Sequence, residues 1–301
     1  MNLPSVRQLE CLVAVAEALN FRQAAEACFI TQPALSAQIQ QLETVLGLKL
    51  FERDRRRVLA TAAGSVFAEK ARGILAELRE FGEAAGAFGE PLSGTLRLGV
   101  IPTVAPYVLP RALKEVRRRH PRLRLLLKEG QTARLMELLL EGSLDLVLLA
   151  LEADLGEVET LSLFVDPFVL AVPTGHRLES RKRVGEKDLF DEQVLLLDDG
   201  HCLRDQALPI CDRAGACEFG DFRASSLTTL VQMVSGGVGV TLLPEMSLKV
   251  EAGRERRLKL IPFGAKKPSR TIGLAWRPSS VRKPEFHLLG QAIQAGLDRN
   301  M

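Results

Sequence analysis

The sequence predicts an α + α/β protein, a helical N-terminal segment followed by a larger α/β region, and three observations carry that prediction. Through residue 88, apolar residues recur at the three-and-four spacing of amphipathic helices. Beyond Pro91, Ser93 and Gly94, short apolar runs alternate with helical stretches, the pattern of strands joined by crossing helices. The chain has 301 residues, 47% hydrophobic and 26% charged, which is long enough for more than one core and too apolar for disorder.

Leu9, Leu12, Val13 and Ala16 give the first helix its expected buried stripe. A second helix starts near Asn20, a capping residue, and the segment FRQAAEACFI closes on Cys28, Phe29 and Ile30. In TQPALSAQIQQLETVLG, Thr31 caps the next helix, Pro33 fits its first turn and Gly47 ends it. Leu35, Ile39, Leu42 and Leu46 form its apolar stripe, leaving Gln32, Ser36, Gln40 and Glu43 off it. A short helix, a tight turn and a polar-faced second helix make a helix-turn-helix. In that motif the second helix enters the major groove of double-stranded DNA, where Gln32, Ser36 and Gln38 suit base edges and Pro33 shapes the helix start. Lys49, Arg53, Arg55, Arg56 and Arg57 follow within nine residues; alone they would be a solvated loop, but behind a reading helix they are placed to hold phosphates.

Phe67, Ala71, Ile74, Leu78, Phe81, Ala85 and Phe88 then step alternately by four and three, a coiled-coil seam that predicts a dimerising linker helix despite Gly73, Gly82 and Gly86. The runs TLRLGV, LRLLLKE, LDLVLLAL, FVLAVP, QVLLLD, VGVTLLP and TIGLAW predict mainly parallel strands. Whether they build one sheet or two lobes stays open from pattern alone.

Residues 21–64 resemble the N-terminal domain of LysR-type regulators, through the contiguous segment FRQAAEACFITQPALSAQIQQLETVLGLKLFERDRRRVLATAAG. The resemblance implies a winged helix-turn-helix at 1–58 with its wing around Arg53 to Arg57, and a linker at 59–90. It also implies a periplasmic-binding-protein-like regulatory domain at 91–301, of two α/β lobes: lobe I at 91–165 and 268–301, lobe II at 166–267. Ala60 before Thr61 departs from the family pattern and bears on packing more than on function.

The net charge of +3 is too small to point to nucleic acid by itself. Arg7, Glu10 and Glu17 interrupt the N-terminal apolar residues, so neither a signal peptide nor a membrane span is expected, and a cytoplasmic location follows. In a reducing compartment the five cysteines are expected as thiols. Cys11 and Cys28 fall on apolar helix faces and read as core filling.

Cys202 lies in LLLDDGHCLRDQALPICDRAG, after a strand-like run and past Asp199, a candidate cap of a helix that Pro209 should interrupt. A helix N-terminus with His201 and Arg204 beside it should lower the thiol pKa below its free value of about 8.5, while Asp198, Asp199 and Asp205 pull the other way. A buried inert thiol is the plainer reading, made less apt by the polar surroundings. The spacing of Cys202 and Cys211 lacks the close pairs of structural zinc sites, so neither a metal nor a cofactor is expected. On one straight helix their Cα atoms would stand about 13.5 Å apart, against roughly 5.5 Å for a disulfide. Joining them requires refolding.

The segments GVIPTVAPYVLP, EGQT, DDGHCLRDQALPICDRAG, FRASSL, VTLLP and RTIGL are similar to the peroxide-sensing branch of the LysR-type family. That resemblance implies Cys202 as the sulfur oxidised by hydrogen peroxide, Cys211 as its resolving partner, and Thr103, Thr132, His201, Arg204 and Arg270 around the sulfur. It implies an oxidative-stress regulator, not an enzyme, that acts on promoter DNA and RNA polymerase as a homotetramer. Alternatives are a metabolite-sensing LysR-type regulator with a ligand near Thr103 and Thr132, or a thiol peroxidase using Cys202. Cys217 has no place in the pattern.

Overall fold

A computed structural model describes residues 3–53, 57–86, 91–253, 255–264 and 267–298. The chain divides into two compact units, Met1–Phe88 with Glu141–Ser143, and Gly89–Leu140 with Leu144–Met301.

The first unit contains α1 (Val6–Ala18), α2 (Phe21–Ala27), α3 (Gln32–Leu46), a hairpin of β1 (Phe51–Arg53) and β2 (Val58–Ala60), and α4 (Ala62–Gly86). Each of the first three helices starts where a side-chain oxygen satisfies orphan amides: Ser5 accepts from Gln8 N, Asn20 from Arg22 and Gln23 N, and Thr31 from Ala34 N. Gly47 ends α3 at φ 68°, a left-handed conformation that glycine adopts freely. Leu35, Ile39 and Leu42 are buried as the spacing predicts. On α1 the inward face is instead Cys11, Leu12 and Val15, with Leu9, Val13 and Ala16 half-buried at its margins. The three-helix core curls around that face.

Glu43 departs from expectation, because it is buried rather than off the apolar stripe of α3. Its carboxylate accepts from Leu50 N at 2.9 Å, Phe51 N at 3.4 Å and Lys49 Nζ at 2.8 Å. It thus supplies the acceptors that the chain needs where it leaves α3 for the hairpin. Thr61 performs the next join: its hydroxyl donates to Lys49 O and accepts from Gly64 N as α4 begins. On α4 the predicted seam is buried at Ala71, half-buried at Phe67, and exposed at Ile74, Leu78 and Phe81. Phe88 and the side chain of Ala85 lie outside the described residues.

The second unit runs β3 (Gly94–Val100), α5 (Ala105–Arg119), β4 (Leu123–Glu129), α6 (Thr132–Leu140), β5 (Leu146–Ala150), β6 (Glu159–Pro173), β7 (Gln193–Leu197) and α7 (Cys202–Ala214). It continues with β8 (Cys217–Ala224), α8 (Leu227–Ser235), β9 (Thr241–Pro244), α9 (Leu248–Glu251), β10 (Leu258–Pro262), β11 (Ser269–Trp276) and α10 (Lys283–Asp298). Two hydrophobic cores form, one around Leu98, Leu148, Trp276 and Phe286, the other around Phe168, Leu195, Val231 and Phe263. Strand β6 belongs to both lobes, pairing with β11 over residues 159–167 and with β9 and β10 over residues 168–173.

The expectation of mainly parallel strands is corrected here. β3 pairs parallel with β4 and β5, and β7 with β8, but β11 runs antiparallel to both β5 and β6, and β9 and β10 run antiparallel to β6. The reason is that the chain, after building lobe II, re-enters the first sheet from the opposite end.

Removing the Glu43 carboxylate strips partners from two buried amides, so Glu43→Ala should cost about 2 kcal/mol in urea or thermal unfolding. Burial works to raise the Glu43 pKa, but the bonds from Lys49, Leu50 and Phe51 hold it below the usual carboxylate value. Its stabilisation is therefore present above the unfolded value and is lost as pH falls through the lowered folded one. Wild type and variant should converge in stability toward acid pH.

Candidate functional site

Two helices of the second unit begin at one sulfur. Cys202 is the first residue of α7 and Thr132 the first of α6, and the Thr132 hydroxyl lies against the Cys202 thiol. Although α7 packs in lobe II, the side chain of Cys202 packs in the core of lobe I and is only 4% exposed. The sulfur plugs one lobe into the other. The α7 N-cap is the backbone of His201, not Asp199 as the sequence suggested. Gly200 makes the entry possible at φ 86°, a left-handed conformation that glycine adopts freely.

The cation nearest in influence to the sulfur is Arg270 on β11, which is fully buried. Its Nε donates to Asp166 Oδ2 at 3.0 Å, Nη1 to Thr103 Oγ1 at 2.9 Å and Nη2 to Thr103 O at 3.0 Å. Asp166 Oδ1 accepts from Met246 N at 3.0 Å. A buried charge is tolerable only when paired and hydrogen-bonded in this way. Asp166 and Met246 were missed from sequence, although an acid inside the apolar run LFVDPFVL is itself a signal of a buried partner.

Arg204 points elsewhere. Its guanidinium binds Glu218 through two bonds of 2.6 and 2.9 Å and Asp199 at 2.9 Å, and Arg223 closes the ring on the same two acids. This network ties the first turn of α7 to β8. Its acids neutralise the charge that was expected to lower the thiol pKa. His201 is buried, and burial lowers its pKa against the raising influence of Asp198, which favours the neutral ring.

Burial pushes the Cys202 thiol up, the reverse of the sequence expectation, while the Thr132 hydroxyl, the Arg270 charge and the Ala150 backbone pull it down. The Thr132 hydroxyl oxygen is buried with no hydrogen-bond partner among the described residues, which leaves it free for a ligand at the sulfur. Thr132 and Arg270 thus act on the sulfur directly, Thr103 holds the Arg270 guanidinium, His201 precedes Cys202 as the cap of α7, and Arg204 is engaged by Glu218 and Asp199.

Cys211 lies on the same helix, buried in the core of lobe II, where burial pushes its thiol up to about 11. α7 runs unbroken through Pro209, contrary to the expected interruption. At helical rise the two Cα atoms therefore stand about 13.5 Å apart. Cys217 is exposed at the start of β8.

In the first unit, α3 exposes Gln32 and Pro33 at its N-terminus, with Ser36 and Gln38 half-buried. Arg53 ends β1, its side chain outside the described residues, as is all of Arg56.

Residues 6–65 match the model of bacterial regulatory helix-turn-helix proteins of the lysR family, and residues 89–298 that of the LysR substrate binding domain. The chain is 46% identical to a probable hydrogen peroxide-inducible genes activator of Streptomyces viridosporus, covering 98% of this chain and 95% of that protein. It is 43% identical to the DNA-binding transcriptional dual regulator OxyR of Escherichia coli, covering 98% and 96%. A hydrogen peroxide-bound cysteine-to-serine mutant of Corynebacterium glutamicum OxyR superposes with a TM-score of 0.68 at 35% identity, covering 99% of this chain and 94% of that one. The chain belongs to the LysR family of helix-turn-helix regulators, in its OxyR-like branch.

Proposed function

We propose that this chain is a transcription regulator that senses hydrogen peroxide at Cys202 and answers by joining Cys202 to Cys211. The observation that carries the reading is the meeting of a buried thiol with the hydroxyl of Thr132 and the guanidinium of Arg270. Names of relatives that are peroxide-inducible gene activators support it. The Cys202 thiolate attacks one peroxide oxygen, leaving a sulfenic acid and releasing hydroxide, which takes a proton to become water. The Cys211 thiolate then displaces the sulfenic oxygen as a second water, forming the disulfide.

Thr132 and Thr103 hold the peroxide, Arg270 favours the thiolate, His201 sets the start of α7, and Arg204 anchors that helix to β8. Because the sulfurs sit in different cores on one helix, closing the bond withdraws Cys202 from lobe I and unwinds α7. The refolded lobe changes how subunits meet. In this reading residues 1–58 bind promoter DNA through Gln32, Pro33, Ser36, Gln38, Arg53 and Arg56. Residues 59–90 dimerise through the seam on α4, the lobes divide at 91–165 with 268–301 and 166–267, and a cytoplasmic tetramer engages RNA polymerase.

Cys202→Ser should abolish activation of a reporter promoter by peroxide and leave footprinting of the same DNA by the reduced protein unchanged; retained activation would overturn the reading. A thiol raised by burial is mostly protonated at neutrality, so the rate of Cys202 oxidation, read by stopped-flow, should climb about tenfold per pH unit through neutrality without levelling. A plateau below pH 7 would contradict it. Thr132→Val removes a group that lowers the thiol pKa and should slow the reaction about tenfold at fixed pH, a loss of roughly one hydrogen bond.

A further inference from the structure

The helix-turn-helix holds a second pair of thiols. Cys11 on α1 and Cys28 at the end of α2 share one core, 0% and 8% exposed. Arg7, one helical turn before Cys11, donates through Nη2 to the carbonyl of Cys28, which draws the end of α2 onto the face of α1 that carries Cys11. Both side chains pack in that one core, close enough for each thiol to act on the other's charge. Core filling accounts for either cysteine alone but does not require two sulfurs side by side.

Their positions differ in access. A groove of about 560 Å³ opens beside them, lined by Arg7, Glu10, Ala14, Ala27, Cys28 and Phe29, so a small oxidant reaches Cys28. Cys11 does not line that groove, and burial followed by the neighbouring Cys28 pushes its thiol up to about 11. Cys28 is the sulfur placed to react first and Cys11 the one placed to resolve it.

We infer that Cys11 and Cys28 form a second peroxide-oxidised dithiol, closing a reversible disulfide within the DNA-binding unit. Cys28 sulfur attacks hydrogen peroxide, giving a sulfenic acid and one water. Cys11 sulfur then displaces the sulfenic oxygen as a second water, so two thiols and one peroxide become one disulfide and two waters. The disulfide needs an S–S distance of about 2.05 Å, well inside the contact of two thiols, so the end of α2 must shift toward α1. Two residues separate Cys28 from Thr31, the cap of α3, and the turn between them already holds Phe29 at φ 53°. A shift there passes to Gln32 and Pro33.

The test treats the full-length chain with increasing hydrogen peroxide, blocks free thiols under denaturing conditions and maps non-reduced peptides. A peptide joining Cys11 to Cys28, lighter by two hydrogens and released by dithiothreitol, is the expected result. Cys11 and Cys28 both free, or Cys28 carried to sulfinic acid beside an unmodified Cys11, overturns it. The Cys202 to Cys211 bond appears in different peptides, so failure of either pairing is seen separately. A Cys202→Ser variant, oxidised in the same way, should bind a duplex of the region upstream of its own gene about tenfold more weakly, the loss of one base contact. Dithiothreitol, or Cys11→Ser in the same background, should restore binding; unchanged affinity after the bond has formed overturns the link to α3.

Discussion

The regulatory half has to accommodate one fully buried guanidinium. Arg270 leaves β11, the last strand to enter the sheet, and its bonds end on β6 and on the loop that follows β3. Moving an unpaired charge into such a place would cost several kcal/mol, so Asp166 and Thr103 must stay where they are for the fold to persist. That requirement fixes the point at which β6 passes from one lobe to the other. It also places a permanent positive charge near the Cys202 sulfur.

The electrostatics of the sulfur are a contest between that charge and burial. Burial wins in the reduced fold, so the thiol is protected rather than poised, and Thr132 and Arg270 limit how far. The ring of Arg204, Arg223, Asp199 and Glu218 has the opposite character. It lies nearer the surface, where ion pairs are individually weak and sensitive to salt. The start of α7 is therefore held from inside by a buried sulfur and from outside by contacts that water can replace.

Much of this was legible in the sequence, and the exceptions have physical causes. Caps at Asn20, Thr31 and Gly47 were readable because their chemistry is local. The seven expected runs all form strands, but β8 and β10, which are less continuously apolar, were missed, and directions were not legible because a strand's residues do not say from which end the chain enters the sheet. Glu43 looked exposed because helical spacing says nothing about the chain that later folds over it. Arg204 was expected beside the sulfur from its nearness in sequence and from the family resemblance, and Glu218, fourteen residues away, holds its guanidinium. Asp199 failed as a cap for the same reason, being already engaged by two arginines. Pro209 was expected to break a helix that tertiary packing carries through it, as buried Ala207, Ile210 and Cys211 on either side show.

Strand β6 has a mechanical consequence. Fifteen residues of continuous backbone serve as ladder partner to β11 at one end and to β9 and β10 at the other. Stretching or sliding the lobes apart would break hydrogen bonds along its length, whereas rotating one about the strand's long axis needs only small changes of twist spread over many residues. β6 is a torsion bar. A turn about that axis is an angle, and an angle grows into displacement with distance from the axis.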